Sequence, residues 1–330
     1  MSGNRGRWLA RVSLIVWLAG VGSLACDQSP GSSRPAPPER SVLLEQTLPP
    51  LADDLVVAGP SVPLAAVAIS PYLLAAARQQ MAAGAEERAC GPYRLLTDVG
   101  WQQLRALCSE EVAALDGAYA VRYGRQPLGA PAETLLIFAR AKALAVFTGA
   151  TSRWRVESTG RASAAHGYVA LSWVDREATA RAATLLHELT HLVNRRALGP
   201  ALPPWLDEGL ADDLANELVG GKFQPAAWQV GMDRAAGKLL PLRELVALDN
   251  AGFYGGRGYA NYAQAYLFLR FLSGHPELGV RFAGFLDALA AGDGYSPQML
   301  ASHLGRSWPQ VESSWGSWAA SSYQRYGVSG

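Results

Sequence analysis

Charge is scarce in this chain. Asp, Glu, Lys and Arg make up only 17% of its 330 residues, and the formal net charge is +1. The arginines are scattered without a basic stripe, which argues against a nucleic-acid partner. Lysine is scarcer still, at 3 residues against 26 arginines, an imbalance that reads as the codon bias of a GC-rich genome rather than as function. No Gly-Lys-Ser/Thr follows the Gly-rich run at Gly255, so that run is not a phosphate loop. No repeat marks a solenoid. Hydrophobic residues reach 49%, which excludes a disordered chain and leaves ample core for one large or two moderate domains.

Cysteine is also sparse, at three residues. Ahead of the first, Arg5, Arg7 and Arg11 form a positive start, and Val12 to Ala25 an apolar segment too short for an ordinary membrane span. Residues 1–25 are therefore expected to be a signal peptide. Ser23-Leu24-Ala25-Cys26 resembles a bacterial lipobox, departing from it at Ser23, where leucine is usual. That resemblance implies cleavage before Cys26 and its acylation, giving an exported lipoprotein of the bacterial cell envelope, anchored to a membrane by its lipid. Ser-x-Ala equally suits ordinary signal peptidase, which would release a soluble secreted form. Residues 26–40 read as a Pro/Ser-rich tether, and residues 41–89 as an N-terminal extension with one clear helix from Pro71 to Met81. Cys90 and Cys108, in an exported protein, are expected to form a disulfide between a strand and the following helix. Metal ligation by the pair is the competing reading.

Histidine, at five residues, is rare enough that the run His187-Glu188-Leu189-Thr190-His191 stands out. The stretch from Glu177 to Leu186 is free of Gly and Pro and rich in helix formers. On a helix, positions i and i+4 share a face, so both imidazoles can reach one Zn²⁺. Glu188 lies beside them, placed to take a proton from a metal-bound water. A surface helix with two solvated histidines would give the same letters.

Two histidines and a water leave one protein position on a catalytic tetrahedral zinc. Leu202-Pro203-Pro204-Trp205-Leu206-Asp207-Glu208 starts a second helix after a proline turn. Glu208 is assigned as the third ligand. Asp212, four residues on along the same face, is assigned as the carboxylate that holds a ligand histidine by its other ring nitrogen. Asp207 and Asp213 are expected to point elsewhere, solvated or capping.

HELTH followed by LPPWLDEGLADD resembles the gluzincin metallopeptidases, most closely their peptidase MA-like branch. The resemblance covers about residues 90–320 and is strongest over 183–215. It implies an exported zinc metallopeptidase cleaving a peptide or protein substrate, with Glu188 as general base. It further implies that a tyrosine at the start of the helix after the Gly-rich loop stabilises the oxyanion. Tyr262 is the candidate, with Tyr259 second. The strand ending near Trp173 is expected to offer an edge to extended substrate. No Gly-x-Met-x-Asn segment is present to grip a free amino terminus, which favours an endopeptidase over an aminopeptidase. A non-catalytic lipoprotein scaffold and a zinc hydrolase of non-peptide amides or esters are the alternatives.

The fold class expected is α+β. Strand and helix alternate from Tyr93: a strand to Thr97, a helix from Trp101 to Tyr123, a buried strand over Thr134–Phe138, a helix from Ala139 to Phe147 and a strand from His166 to Trp173. The rest reads as helical. This predicts a small α/β lobe followed by a mostly helical lobe with the metal between them; the resemblance implies that the arrangement is zincin-like and that residues 90–325 are a peptidase MA-like catalytic domain.

Overall fold

The computed structural model describes residues 66–151, 160–173, 177–220, 230–231, 233–234, 237–255 and 257–325. All belong to one compact unit spanning Leu48–Gly330. The signal peptide, Cys26 and the tether lie outside the described residues, as do residues 41–65 of the extension. Among the described residues no helix is long and apolar enough to cross a membrane. The chain is mixed α/β, mostly helical, with one five-stranded sheet.

The strands are β1 (Glu86–Cys90), β2 (Tyr93–Thr97), β3 (Thr134–Phe138), β4 (Gly160–Ser163) and β5 (Tyr168–Ser172), in the order β1-β2-β3-β5-β4. β2, β3 and β5 are parallel, and the hairpin strands β1 and β4 close the sheet antiparallel at its two ends. Every residue of β3 is buried, because both sheet faces are covered. Leu96, Leu136 and Phe138 meet α1 (Pro71–Gln80) and α4 (Ala141–Thr151) on one face. Leu95, Leu135 and Ile137 face the main core on the other. β1 and β4 were not expected from sequence, since neither EERAC nor GRAS carries an apolar alternation.

The expected Trp101–Tyr123 helix bends at Glu110 into α2 (Trp101–Ser109) and α3 (Glu111–Tyr123). A disulfide joins Cys90, at the end of β1, to Cys108 in α2. After β5 come α5 (Ala178–Leu198), α6 (Pro204–Leu218), α7 (Leu242–Leu245), α8 (Asn250–Tyr254), α9 (Gly258–Gly274), α10 (Pro276–Ala290), α11 (Pro297–Leu304) and α12 (Trp308–Arg325). Proline opens several of them, at Pro71, Pro204, Pro276 and Pro297, where its missing N–H costs nothing. Ser70, His275 and Ser296 accept the first free amides of their helices.

Two buried ion pairs fasten α5 and α6 to their surroundings. Arg196 of α5, fully buried, forks onto Asp116 of α3 at 2.8 and 2.9 Å and donates to the Tyr93 hydroxyl at 3.1 Å. Asp213 of α6, also fully buried, accepts from both Arg122 Nε and Nη2, from Tyr123 Oη at 2.7 Å and from Arg270 of α9 at 3.0 Å. Asp213 is thus no solvated or capping residue: its position on α6 faces the junction with α3 and α9. Removing its charge leaves Arg122 and Arg270 facing only the more exposed Glu217, 3.6 Å from each. Asp213→Asn should therefore cost about 3 kcal/mol of unfolding free energy, read from urea denaturation; a loss below about 1 kcal/mol would show the cluster to be worth no more than a surface pair.

Candidate metal centre

α5 presents His187, Glu188, His191 and Asn194, held in place by buried Leu185, Leu186, Leu189, Leu192 and Val193 on its other faces. One turn separates the histidines, so their rings meet edge to face with centroids 4.9 Å apart. α6 packs along α5 and brings Glu208, 4% exposed, against both rings. The two Nε2 atoms are 3.3 Å apart, and Glu208 Oε2 lies 3.1 Å from that of His187 and 3.6 Å from that of His191. Ligands about 2.0–2.1 Å from a tetrahedral ion are themselves about 3.3 Å apart. The triangle therefore has the size that zinc requires. Glu208 Oε2 is buried against both rings, a place where a carboxylate needs positive charge opposite it, supplied by protonated imidazole or by a metal ion. The three residues could hold a metal ion.

The far nitrogens of both rings are held as well. His187 Nδ1 is 2.8 Å from Asp212 Oδ1. His191 Nδ1 is 3.0 Å from Asp207 Oδ2, an ionic contact without hydrogen-bond alignment. The expectation that Asp207 points elsewhere is corrected here. α6 lies along α5 closely enough for the residue before Glu208 to face the second histidine. Asn194, one turn beyond His191, steadies that carboxylate, donating from Nδ2 to Asp207 Oδ1 at 2.6 Å and to its carbonyl at 3.3 Å. Asn194 was legible in principle, since its spacing from His191 puts it on the same face.

Glu188 lies apart from the triangle, against β4. An alanine methyl at Gly160 would fall 2.9 Å from Glu188 Cγ and 3.0 Å from its Oε1, so glycine makes the room the carboxylate occupies. Burial raises the Glu188 carboxyl above its usual range, against the opposing pull of His187 and His191. β5, expected to offer an edge, is flanked by β3 and β4 and has none. The terminal strand beside Glu188 is β4.

Tyr262, on α9, sets its ring 6.4 Å from that of His187, tilted by 32°. Its hydroxyl is pushed up by burial, then by the charge of Glu208 and a hydrogen bond to that carboxylate, with Glu188 also contributing. Tyr259 is 74% exposed and faces outward. The residue that sequence reasoning missed is Tyr254, at the end of α8, which donates its hydroxyl to Glu208 Oε1 at 2.6 Å.

No family model matches the sequence, and no curated protein matches it. Among solved structures, the M1 zinc metallopeptidase of Deinococcus radiodurans is similar at 15% identity over 71% of this chain, with a TM-score of 0.38. A point mutant of that enzyme gives 16% over 70%, with the same TM-score. In both cases the match covers 50% of the solved chain, so the alignment spans half of that enzyme's length.

The charges around the histidines set a pH dependence. Burial opposes protonation of His191, but Asp207 and Glu208 outweigh it and lift the ring from 6.5 to about 9. His187 is raised too, by Asp212 and Glu208 against burial. Burial likewise works to raise Glu208, but His191 and His187 together hold it at about 2. In metal-free protein the His191 contribution to stability is full below 6.5 and lost as pH rises through about 9. A metal must displace those same protons, so its affinity should climb over that span. Thermal melts of chelator-treated protein and metal titrations, both run from about pH 6 to about pH 10, should slope in opposite directions. Metal affinity that stays flat across the range would contradict the assignment.

Proposed function

We propose that this protein is an exported, zinc-dependent metallopeptidase of gluzincin type, hydrolysing peptide bonds in a peptide or protein substrate. The observation that carries the reading is the triangle of His187 Nε2, His191 Nε2 and Glu208 Oε2, with edges of 3.1, 3.3 and 3.6 Å. These residues would hold the zinc, with Asp212 and Asp207 fixing the two imidazoles. Bound there, zinc supplies Lewis acidity and lowers the pKa of a water toward neutrality.

Glu188 takes the proton of the attacking water and hands it to the leaving nitrogen. Its carboxyl, raised by burial, is suited to holding a proton between the two steps. The Tyr262 hydroxyl donates to the carbonyl oxygen as negative charge develops on it. β4 lines up an extended substrate by backbone pairing beside Glu188. A binding scaffold would have no use for a buried carboxylate next to the ligand set and outside it, which supports a hydrolase. For the chain's location the sequence alone speaks. Cys26 is acylated after removal of residues 1–25, and the Pro/Ser-rich tether keeps the folded body clear of the membrane.

Purified protein should carry stoichiometric zinc and cleave a peptide library, while Glu188→Gln keeps the zinc and loses activity by about 100-fold or more. Near-native turnover in that variant would sink the mechanism, and hydrolysis confined to small esters or non-peptide amides would move the substrate class. Gly160→Ala should displace the Glu188 carboxylate and lower kcat by about 10- to 100-fold with zinc content intact; unchanged kcat would show that Glu188 can work from elsewhere.

A further inference from the structure

A carboxylate has two oxygens, and a metal can take one or both. In this protein the two oxygens of Glu208 have different surroundings. Oε2 faces His187 and His191 and is buried between them. Oε1 accepts the Tyr254 hydroxyl at 2.6 Å, a short charge-assisted bond of the stronger kind. We infer that Tyr254 is a positioning residue that makes Glu208 a one-oxygen ligand, and so keeps the remaining coordination positions open for water and substrate. The inference rests on reading His187, His191 and Glu208 as the metal site.

The hydroxyl is well placed for this work because the backbone around it is tied down. Asp249 caps α8 by accepting from the Gly252 amide at 2.8 Å. Phe253, fully buried, pins the helix to the core. Asn261, 1% exposed on α9, donates to the Phe253 carbonyl at 2.8 Å. Tyr254 follows directly, and although the residue is 47% exposed its hydroxyl turns inward to a carboxylate that is 4% exposed. A surface tyrosine with no role beyond packing would leave its hydroxyl in water. Here it is spent on the one Glu208 oxygen that does not face the histidines. Without it, Oε1 would lose its short hydroxyl partner, leaving the Tyr262 phenol as the other hydroxyl set against Glu208, and would be freer to swing onto the ion. That swing would fill the position a catalytic site must keep free.

The test uses Co²⁺ in place of zinc, since the visible band of Co²⁺ is strong in four-coordinate sites and weak at higher coordination, and geometry of this kind is diagnostic. The full mature chain is compared with Tyr254→Phe, which keeps the ring and removes only the hydroxyl. Wild type should show the strong band. Tyr254→Phe should bind the same amount of Co²⁺, melt at the same temperature and lose band intensity. An unchanged strong band in Tyr254→Phe overturns the inference, and so does complete loss of Co²⁺ from a folded variant, which would make the hydroxyl necessary for holding the metal rather than for limiting Glu208 to one oxygen. Failure of wild type to bind Co²⁺ or Zn²⁺ at all overturns the metal reading itself, a result separable from the other two.

Discussion

Glu208 sits at 4% exposure between two imidazoles, and burying a carboxylate that deeply costs several kcal/mol unless charge and hydrogen bonds offset it. The arrangement of α5 and α6 supplies both. His187 and His191 face one oxygen, Tyr254 donates to the other, and Asp212 and Asp207 sit behind the rings. Each member makes sense only with the rest in place. A small rotation of α6 about its axis would withdraw Glu208 from both histidines together with the two aspartates behind them.

That rotation is opposed by groups outside the site. Asp213, the neighbour of Asp212, is clamped by Arg122, Tyr123 and Arg270, which belong to α3 and α9. Arg196, at the far end of the helix that carries the histidines, is clamped by Asp116 and Tyr93. Buried pairs of this kind add little net stability compared with apolar packing, yet breaking one is costly. Their effect here is on geometry. They tie α5 to α3, and α6 to α3 and α9, at fixed points.

The sheet meets the site at β4. That strand is short and carries little apolar surface, and its contribution is a backbone and a missing side chain. Gly160 leaves the volume that Glu188 fills. The base candidate and the strand proposed to align substrate therefore share one contact, at Gly160.

Much of this was legible locally. The i,i+4 spacing of His187 and His191 and the same spacing of Glu208 and Asp212 each follow from helix geometry. Proline at the first helical position announced α6, α10 and α11, and the unbroken apolar run at Thr134–Phe138 announced a strand buried on both faces. What stayed hidden needed contacts between distant segments. Tyr254 lies 46 residues from Glu208 and has no motif around it. Asp207 and Asp213 look alike in sequence, and only the packing of α6 between α5, α3 and α9 sends one to a histidine and the other to two arginines. β4 escaped notice because a strand of four residues gains its stability from β5 and α5, not from its own side chains. The sequence by itself determined which side chains share a helical face, because a helix repeats every 3.6 residues whatever surrounds it. The tertiary structure alone decided which faces meet, because that depends on how helices are rotated and anchored by residues far along the chain.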